Sequence, residues 1–287
     1  MTRLFTKSAI TVVTVAMALL AGCSRNENIS DTVQKDRIGG MKITVENFIA
    51  EDETRFTSDP DDGFVFDQGD RMGLAVLTGD GAFVNNLPLV YDQTEGWTVE
   101  SGSEIYLIDG AEYAVYYPYD EAMSSAIASS KSADEAKDAI FSAFKAKVNQ
   151  SSFVNFAGSM LMMWGGQADT SGEVPVLNIN LEQVMSMVEV IFDPSNVTNF
   201  NMTFKVDTEE YTPYQYRETG NTTVSGVTPG NPCEDYLLLV KPGADIRVMV
   251  EVNFEKDDNT YEWNNRAELL VPETGKKKVY RIAIPIL

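Results

Sequence analysis

The sequence predicts a mostly β protein, built as two β-sandwich domains with a short helical insertion in the first. Three observations carry that prediction. Apolar and polar residues alternate with period two from Met41 to Phe48 and again from Ile246 to Phe254, as they do in strands that bury one face. Glycine and aspartate turns recur at roughly ten-residue intervals, the rhythm of a sandwich. One stretch, Ala136 to Val148, instead repeats its apolar residues at spacings of three and four, which makes one face of a helix.

The N-terminus stands apart from this pattern. Arg3 and Lys7 supply a short positive region, and Ile10 to Leu20 is apolar except for Thr11 and Thr14. At about 11 residues the run is too short for a bilayer, which needs about 20; its shape is that of a secretory signal. It ends in Leu20-Ala21-Gly22-Cys23, with small residues before a scissile bond and a cysteine after it. This resembles the bacterial lipoprotein signal. The resemblance implies a signal peptide over 1–22 and diacylglycerol and fatty acyl groups on Cys23, with no other cofactor. Each buried CH₂ contributes about 0.8 kcal/mol, so several acyl chains hold firmly. Ser24 to Lys35 is polar and lacks aromatics, so 23–40 reads as a flexible tether.

The first sandwich is expected over 41–180. It opens with the strand Met41 to Phe48. Phe64-Val65-Phe66 leads through the turn Asp67-Gln68-Gly69-Asp70 into Met72 to Leu77. Leu87 to Tyr91 and Trp97 to Val99 flank a turn at 92–96, and Ile105 to Ile108 and Tyr113 to Tyr117 flank Asp109-Gly110. Asp120 to Ala128 suits a short helix. Ser132 followed by Glu135 resembles a capping box, and the periodic face behind it predicts a helix at about 133–148. The strand Met160 to Trp164 follows, and then the loop-like stretch 165–172, which approaches the domain boundary. The second sandwich, over 181–287, takes strands near 185–192, 201–206, 236–240, 246–254, 261–270 and 279–286, with a hairpin turn at Glu255 to Thr260.

Composition restricts the chemistry. The 43 Asp and Glu residues against 22 Lys and Arg give a formal charge of −21, so nucleic acid, whose phosphates would be repelled, is not an expected partner. There is no histidine, which removes the commonest general base and metal ligand and every Ser–His or Cys–His pair. The only cysteines are Cys23 and Cys233, too few for a thiolate zinc site or a disulfide framework. With Cys23 lipidated, Cys233 is left as an inert thiol. The acidic run Asp59-Pro60-Asp61-Asp62-Gly63 with Asp67 and Asp70 misses the EF-hand pattern, because Phe64 stands where glycine is required and the last ligand is Asp. It reads as a solvated turn. Ser142 and Lys145 have the Ser-x-x-Lys spacing but no companion motif. Tyr113, Tyr116, Tyr117 and Tyr119 read as a core strand ending at Pro118, and Lys276-Lys277-Lys278 as a charged turn before the last strand. No metal site and no enzymatic activity are expected.

Several elements coincide in order: the lipoprotein signal, the early strand, Glu53-Thr54-Arg55-Phe56-Thr57, Phe66-Asp67-Gln68-Gly69-Asp70-Arg71-Met72-Gly73, Trp97, and Tyr113-Ala114-Val115-Tyr116-Tyr117-Pro118-Tyr119. Together they resemble the fimbrillin family of Bacteroidales-type bacteria, the subunits of type V pili. The resemblance implies two transthyretin-like sandwiches and export to the outer membrane and cell surface. It implies a structural subunit of surface fimbriae that supports adhesion and assembles by protease-triggered donor-strand exchange. Its partners would be other fimbrial subunits, outer-membrane lipid through Cys23, and a trypsin-like protease. The released strand would be Met41 to Phe48, with Ile43, Val45 and Phe48 filling the groove. Arg55 is the expected cleavage position; Arg37 is second, although a cut there leaves the strand in place. The donor would be the last strand, through Val279, Ile282, Ile284 and Ile286, although Pro285 removes one ladder donor. The alternative is a non-polymerising outer-membrane surface lipoprotein that binds glycan or host protein through its loops.

Overall fold

The alternating segments form strands in three sheets in a computed structural model, which describes residues 37–46, 49–50, 66–102, 104–192, 197–216 and 235–282. The chain opens with β1 (Gly40–Val45) and the two-residue β2 (Ile49–Ala50), followed by β3 (Arg71–Thr78), β4 (Gly81–Asp92), β5 (Gly96–Val99) and β6 (Glu112–Tyr117). Three helices come next, α1 (Met123–Ile127), α2 (Ala133–Ala143) and α3 (Phe153–Ala157). Then β7 (Met162–Gly166) and β8 (Val176–Gln183) complete a seven-stranded sheet in the order β1-β8-β7-β6-β3-β4-β5. Both faces of β3 and β6 are buried. The reason is that α1 and α2 lie over β4, β6 and β7 on one side, so the core around Leu74, Val115, Ile140 and Ile179 has cover on both faces of the central strands.

The remaining strands are β9 (Ser186–Phe192), β10 (Thr198–Val206), β11 (Glu209–Tyr211), β12 (Tyr214–Tyr216), β13 (Asp235–Val240), β14 (Val248–Lys256), β15 (Asn259–Asn264) and β16 (Lys276–Ile282). They form a four-stranded sheet, β11-β10-β14-β15, and a five-stranded sheet, β12-β13-β9-β16-β2. Val188, Val190, Phe192, Leu238 and Ile282 of the larger sheet meet Phe204, Val250, Val252 and Phe254 of the smaller in a second hydrophobic cluster. That is the layered packing of a β-sandwich. The chain passes from the first sheet to the larger of these at Val184 and Met185, between β8 and β9.

The two clusters meet at a polar joint. Gln150 is fully buried, and its side-chain amide donates to Leu239 O at 2.8 Å while its carbonyl accepts from Leu239 N at 2.9 Å. The short strand β12 pairs with Leu237 but stops before Leu239, and the glutamine amide continues the ladder in its place.

Several expectations are corrected. Phe66 lies in a loop, and Ile105 to Ile108 make only an isolated bridge, Arg37 to Tyr106. The helix expected to reach 148 ends at Ala143, where Phe144 turns to extended backbone and into the core. Lys241 Nζ lies 3.2 Å from both Ser142 O and Phe144 O, and takes up carbonyls that a longer helix would have bonded internally. Helix α3 and the short strands β11 and β12 have no counterpart among the expected elements. Lys276-Lys277-Lys278 begins β16 rather than forming a turn.

Candidate functional site

The chain from Arg37 to Glu46 lies along the edge of the first sheet. Arg37 forms its β-bridge with Tyr106 and an ion pair with Glu104 at 3.1 Å. The Tyr106 hydroxyl donates to the same carboxylate at 2.8 Å, and that carboxylate pushes the phenol up from its ordinary range. Ile38 N–H donates to Ile105 O and Gly39 N–H to Pro175 O, both at 2.8 Å. Ile38 is buried in the first cluster. At Gly39 a Cβ would meet Val174 Cγ1, so a larger residue there would have to displace that exposed side chain.

From Gly40 the chain is a strand with one neighbour. β1 runs parallel to β8, in a register that sets Met41 beside Leu177, Ile43 beside Ile179 and Val45 beside Leu181. The three β1 side chains are half-buried and pack on the first cluster, to which all three β8 side chains belong. This follows from the period of two: residues 41, 43 and 45 face in, and 42, 44 and 46 face out. On the outer face Thr44 Oγ1 donates to Asn180 Oδ1 at 2.8 Å, and Asn180 Nδ2 donates to Glu46 Oε1 at 2.6 Å. Asn178 donates to Asp169 Oδ2 at 3.1 Å. The Asp169 carboxyl is held below its ordinary range, chiefly by hydrogen bonds from the hydroxyl and backbone of Ser171, with smaller help from Asn178 and Lys42.

The segment also touches the edge of the second core's larger sheet. β2 pairs in parallel with β16, Ile49 with Lys276 and Ala50 with Lys277. Next to this contact Lys277 Nζ and Glu189 Oε2 form an ion pair at 2.5 Å, with side chains 8% and 10% exposed. Residues 37–50 therefore contribute an outer strand to each of two sheets. If that strand left, the outer edge of β8 would be bare, with unpaired amides and carbonyls flanking Leu177, Ile179 and Leu181, which is a template for another extended segment.

The sequence-predicted residues fall as follows. Ile43 and Val45 lie on β1, an outer strand of the first sheet, and pack on the first cluster. Arg37 is tied down by its bridge and ion pair. Val279 and Ile282 lie inside β16, which pairs with β9 from Lys277 to Ile282, so donating them would require withdrawing a strand from its own sheet. Cys23, Phe48, Arg55, Cys233, Ile284 and Ile286 lie outside the described residues, as do Asp59 to Asp62. The residues that sequence reasoning missed are Ile38, Gly39, Glu104, Val174 and Asn180. The alternation Leu177-Asn178-Ile179-Asn180-Leu181 carried a signal, because asparagines on the open side of a strand are available to bond an edge partner.

The other constellations dissolve. Lys145 lies beyond the end of α2, so it does not stand one helical turn from Ser142. Tyr113, Tyr116 and Tyr117 are buried; Tyr116 OH lies 2.9 Å from Asn86 Oδ1 and 2.8 Å from Asp120 O, and burial pushes its phenol up. Tyr119 lies under the Arg71 guanidinium, 4.4 Å from it. Asp70 closes the 67–70 turn by accepting from Asp67 N at 2.9 Å, and burial raises its carboxyl above the ordinary range. Among the described residues no group of acidic or cysteine side chains has the arrangement of a metal site.

No family model matches this chain, and no curated protein matches it. Solved structures do. A fimbrial protein from Bacteroides ovatus aligns with a TM-score of 0.56 at 17% identity, over 86% of this chain and 49% of that one. This chain thus spans about half of that protein's length. A candidate cell adhesion protein from Bacteroides uniformis aligns at 17% identity over 87% of this chain and 93% of its own, with a TM-score of 0.45. Another from Bacteroides ovatus aligns at 14% identity over 84% and 90%, with a TM-score of 0.49. At these identities the first likeness shows a shared fold, and the two looser ones carry no further weight.

Proposed function

We propose that this chain is a structural subunit of surface fimbriae with no catalytic role. The observation that carries the reading is the edge strand: residues 40–45 pair on one side only, with Met41, Ile43 and Val45 packed beside three buried core positions of β8. The fold shared with a fimbrial protein supports it. On this reading Cys23 carries the lipid that takes the precursor to the outer membrane. A trypsin-like protease cuts after Arg55, and the segment before it leaves. The bared edge of β8 then accepts an extended segment of another subunit, whose main chain restores the ladder and whose alternate side chains fill the trough. Arg37 is the poorer cleavage position, since a cut there leaves β1 seated.

The test is made in cells that produce the full chain. The surface form should begin at Phe56 and run in SDS-resistant ladders. Arg55→Ala should leave the precursor uncut and abolish the ladders. Ladders that persist in the uncut variant would overturn the proposal.

A further inference from the structure

We infer that the edge of β8 selects its occupant by a short rule, which the C-terminal strand of a second copy does not obey, so that once the leading segment has been cut away the occupant is a segment of a different subunit. The inference rests on the exchange reading above and names the partner's chemistry. Read from residue 38 onward, the bed favours in turn a buried apolar residue, a glycine, two unrestricted positions' worth of backbone around a second apolar residue, and then an alternating tract. Glycine is favoured by Val174, whose exposed side chain would have to move to admit a Cβ at position 39. The apolar positions are those of Ile38, Met41, Ile43 and Val45. Asn180 sets the outer face, because its carbonyl accepts from a hydroxyl at position 44 and its amide donates to an acceptor at position 46.

Backbone direction excludes this chain's own last described strand and the sequence after it. Glu46 N–H donates to Leu181 O. In a parallel ladder such donors recur at every second residue, so the outward-facing residues at 42, 44 and 46 are the ones whose N–H groups point at β8. In Ile282-Ala283-Ile284-Pro285-Ile286 the isoleucines must take the inward positions. In an occupant that keeps the parallel sense of β1, Pro285 then falls on a donating position, where it has no N–H to give. The segment also offers neither the glycine nor the hydroxyl, and Ile282 is committed to β16. The fitting occupant is an extended segment from another chain, with glycine one place after its first apolar residue and Ser or Thr between its last two.

The test uses the full chain cut after Arg55 by an arginine-specific protease, with fluorescein-labelled peptides followed by anisotropy. A peptide of residues 36–50 should exchange into the cut chain. The same peptide carrying Gly39→Val or Thr44→Ala should bind about tenfold more weakly, the size of one lost buried contact or hydrogen bond, and a peptide of residues 279–287 should not compete. Variants and the 279–287 peptide that bind as well as the native peptide would overturn the rule and leave strand exchange standing. If no peptide enters at all, strand exchange itself fails. The rule is then still read in the uncut chain by hydrogen exchange. Gly39→Val and Asn180→Ala should speed exchange of the Thr44 and Glu46 amides about tenfold and leave β9 unchanged; equal rates would overturn it.

Discussion

At the scale of single residues, two buried polar contacts hold positions that an apolar side chain would fill more simply. Glu189 and Lys277 are paired at 2.5 Å with little exposure. Removing one member strands the other charge, so Lys277→Ala should lower stability by about 3–5 kcal/mol. Glu189→Leu with Lys277→Met should return most of that loss, as urea midpoints would show. Gln150→Leu removes both bonds to Leu239 and leaves a buried N–H and C=O without partners, at a cost of about 2–3 kcal/mol. Neither contact was legible in the sequence. Lys277 sits in a run of three lysines that resembles a solvated turn, and its partner lies far away along the chain. The acidic residues were readable as turns, but not their shifts. Asp169 has a lowered carboxyl, so it stabilises the fold above the ordinary carboxylate range, and that contribution is lost as pH falls through the lowered value. Asp70 has the opposite sign: its raised carboxyl favours the fold at low pH, and that benefit disappears as pH rises through the raised value. Asp169→Asn should therefore flatten the acid limb of a pH–stability curve, and Asp70→Asn should not.

At the scale of elements, local signals placed the starts of structure better than the ends. Ser132 Oγ accepts from Glu135 N at 3.2 Å, so the helix begins where the cap predicts. Glu135 bonds Lys131 N rather than the cap residue itself, so only half of the reciprocal box is made. Its end is tertiary. Lys241, from the far side of the sequence, takes the last carbonyls and lies 4.6 Å over the Phe141 ring. Burial, and then Lys145 beside it, hold its ammonium below the ordinary lysine range. Lys241→Met should fray the last turn of α2 at a cost of about 1 kcal/mol, measured as faster amide exchange at Phe141 to Phe144 with the first turn unaffected. Hairpins were legible for the same local reason. Asp257 and Asp258 both have positive φ, at 51° and 61°, the conformation a two-residue turn between twisted strands requires. Ile105 to Ile108 has the period of a strand because its apolar side chains cover the first core, although its backbone makes only an isolated bridge. Period alone cannot separate those two uses.

At the scale of the whole molecule, the mostly β class and the in-and-out pattern of the leading strand were legible, because alternation over 41–45 demands an apolar bed. What the sequence did not contain was which strand supplies that bed. β8 lies about 136 residues downstream in the register of β1, and long-range parallel pairing has no local signature. The edge position also has a measurable consequence. Cutting after Arg55 alone should leave the melting temperature nearly unchanged while residues 37–50 stay docked. Removing them should lower it by several degrees, because β8 loses its only partner on that side. A cut chain that loses its leading segment without any thermal shift would show that the bed contributes nothing to stability.

β1 and β8 point the same way. A replacement that keeps this ladder must lie in that same sense, since reversing it would change the spacing of every main-chain bond. On the proposed strand exchange, each junction made on this edge would thus be an arrow rather than a symmetric clasp. A filament of such joints has two unlike tips, and a receptor that grips one of them can tell base from end.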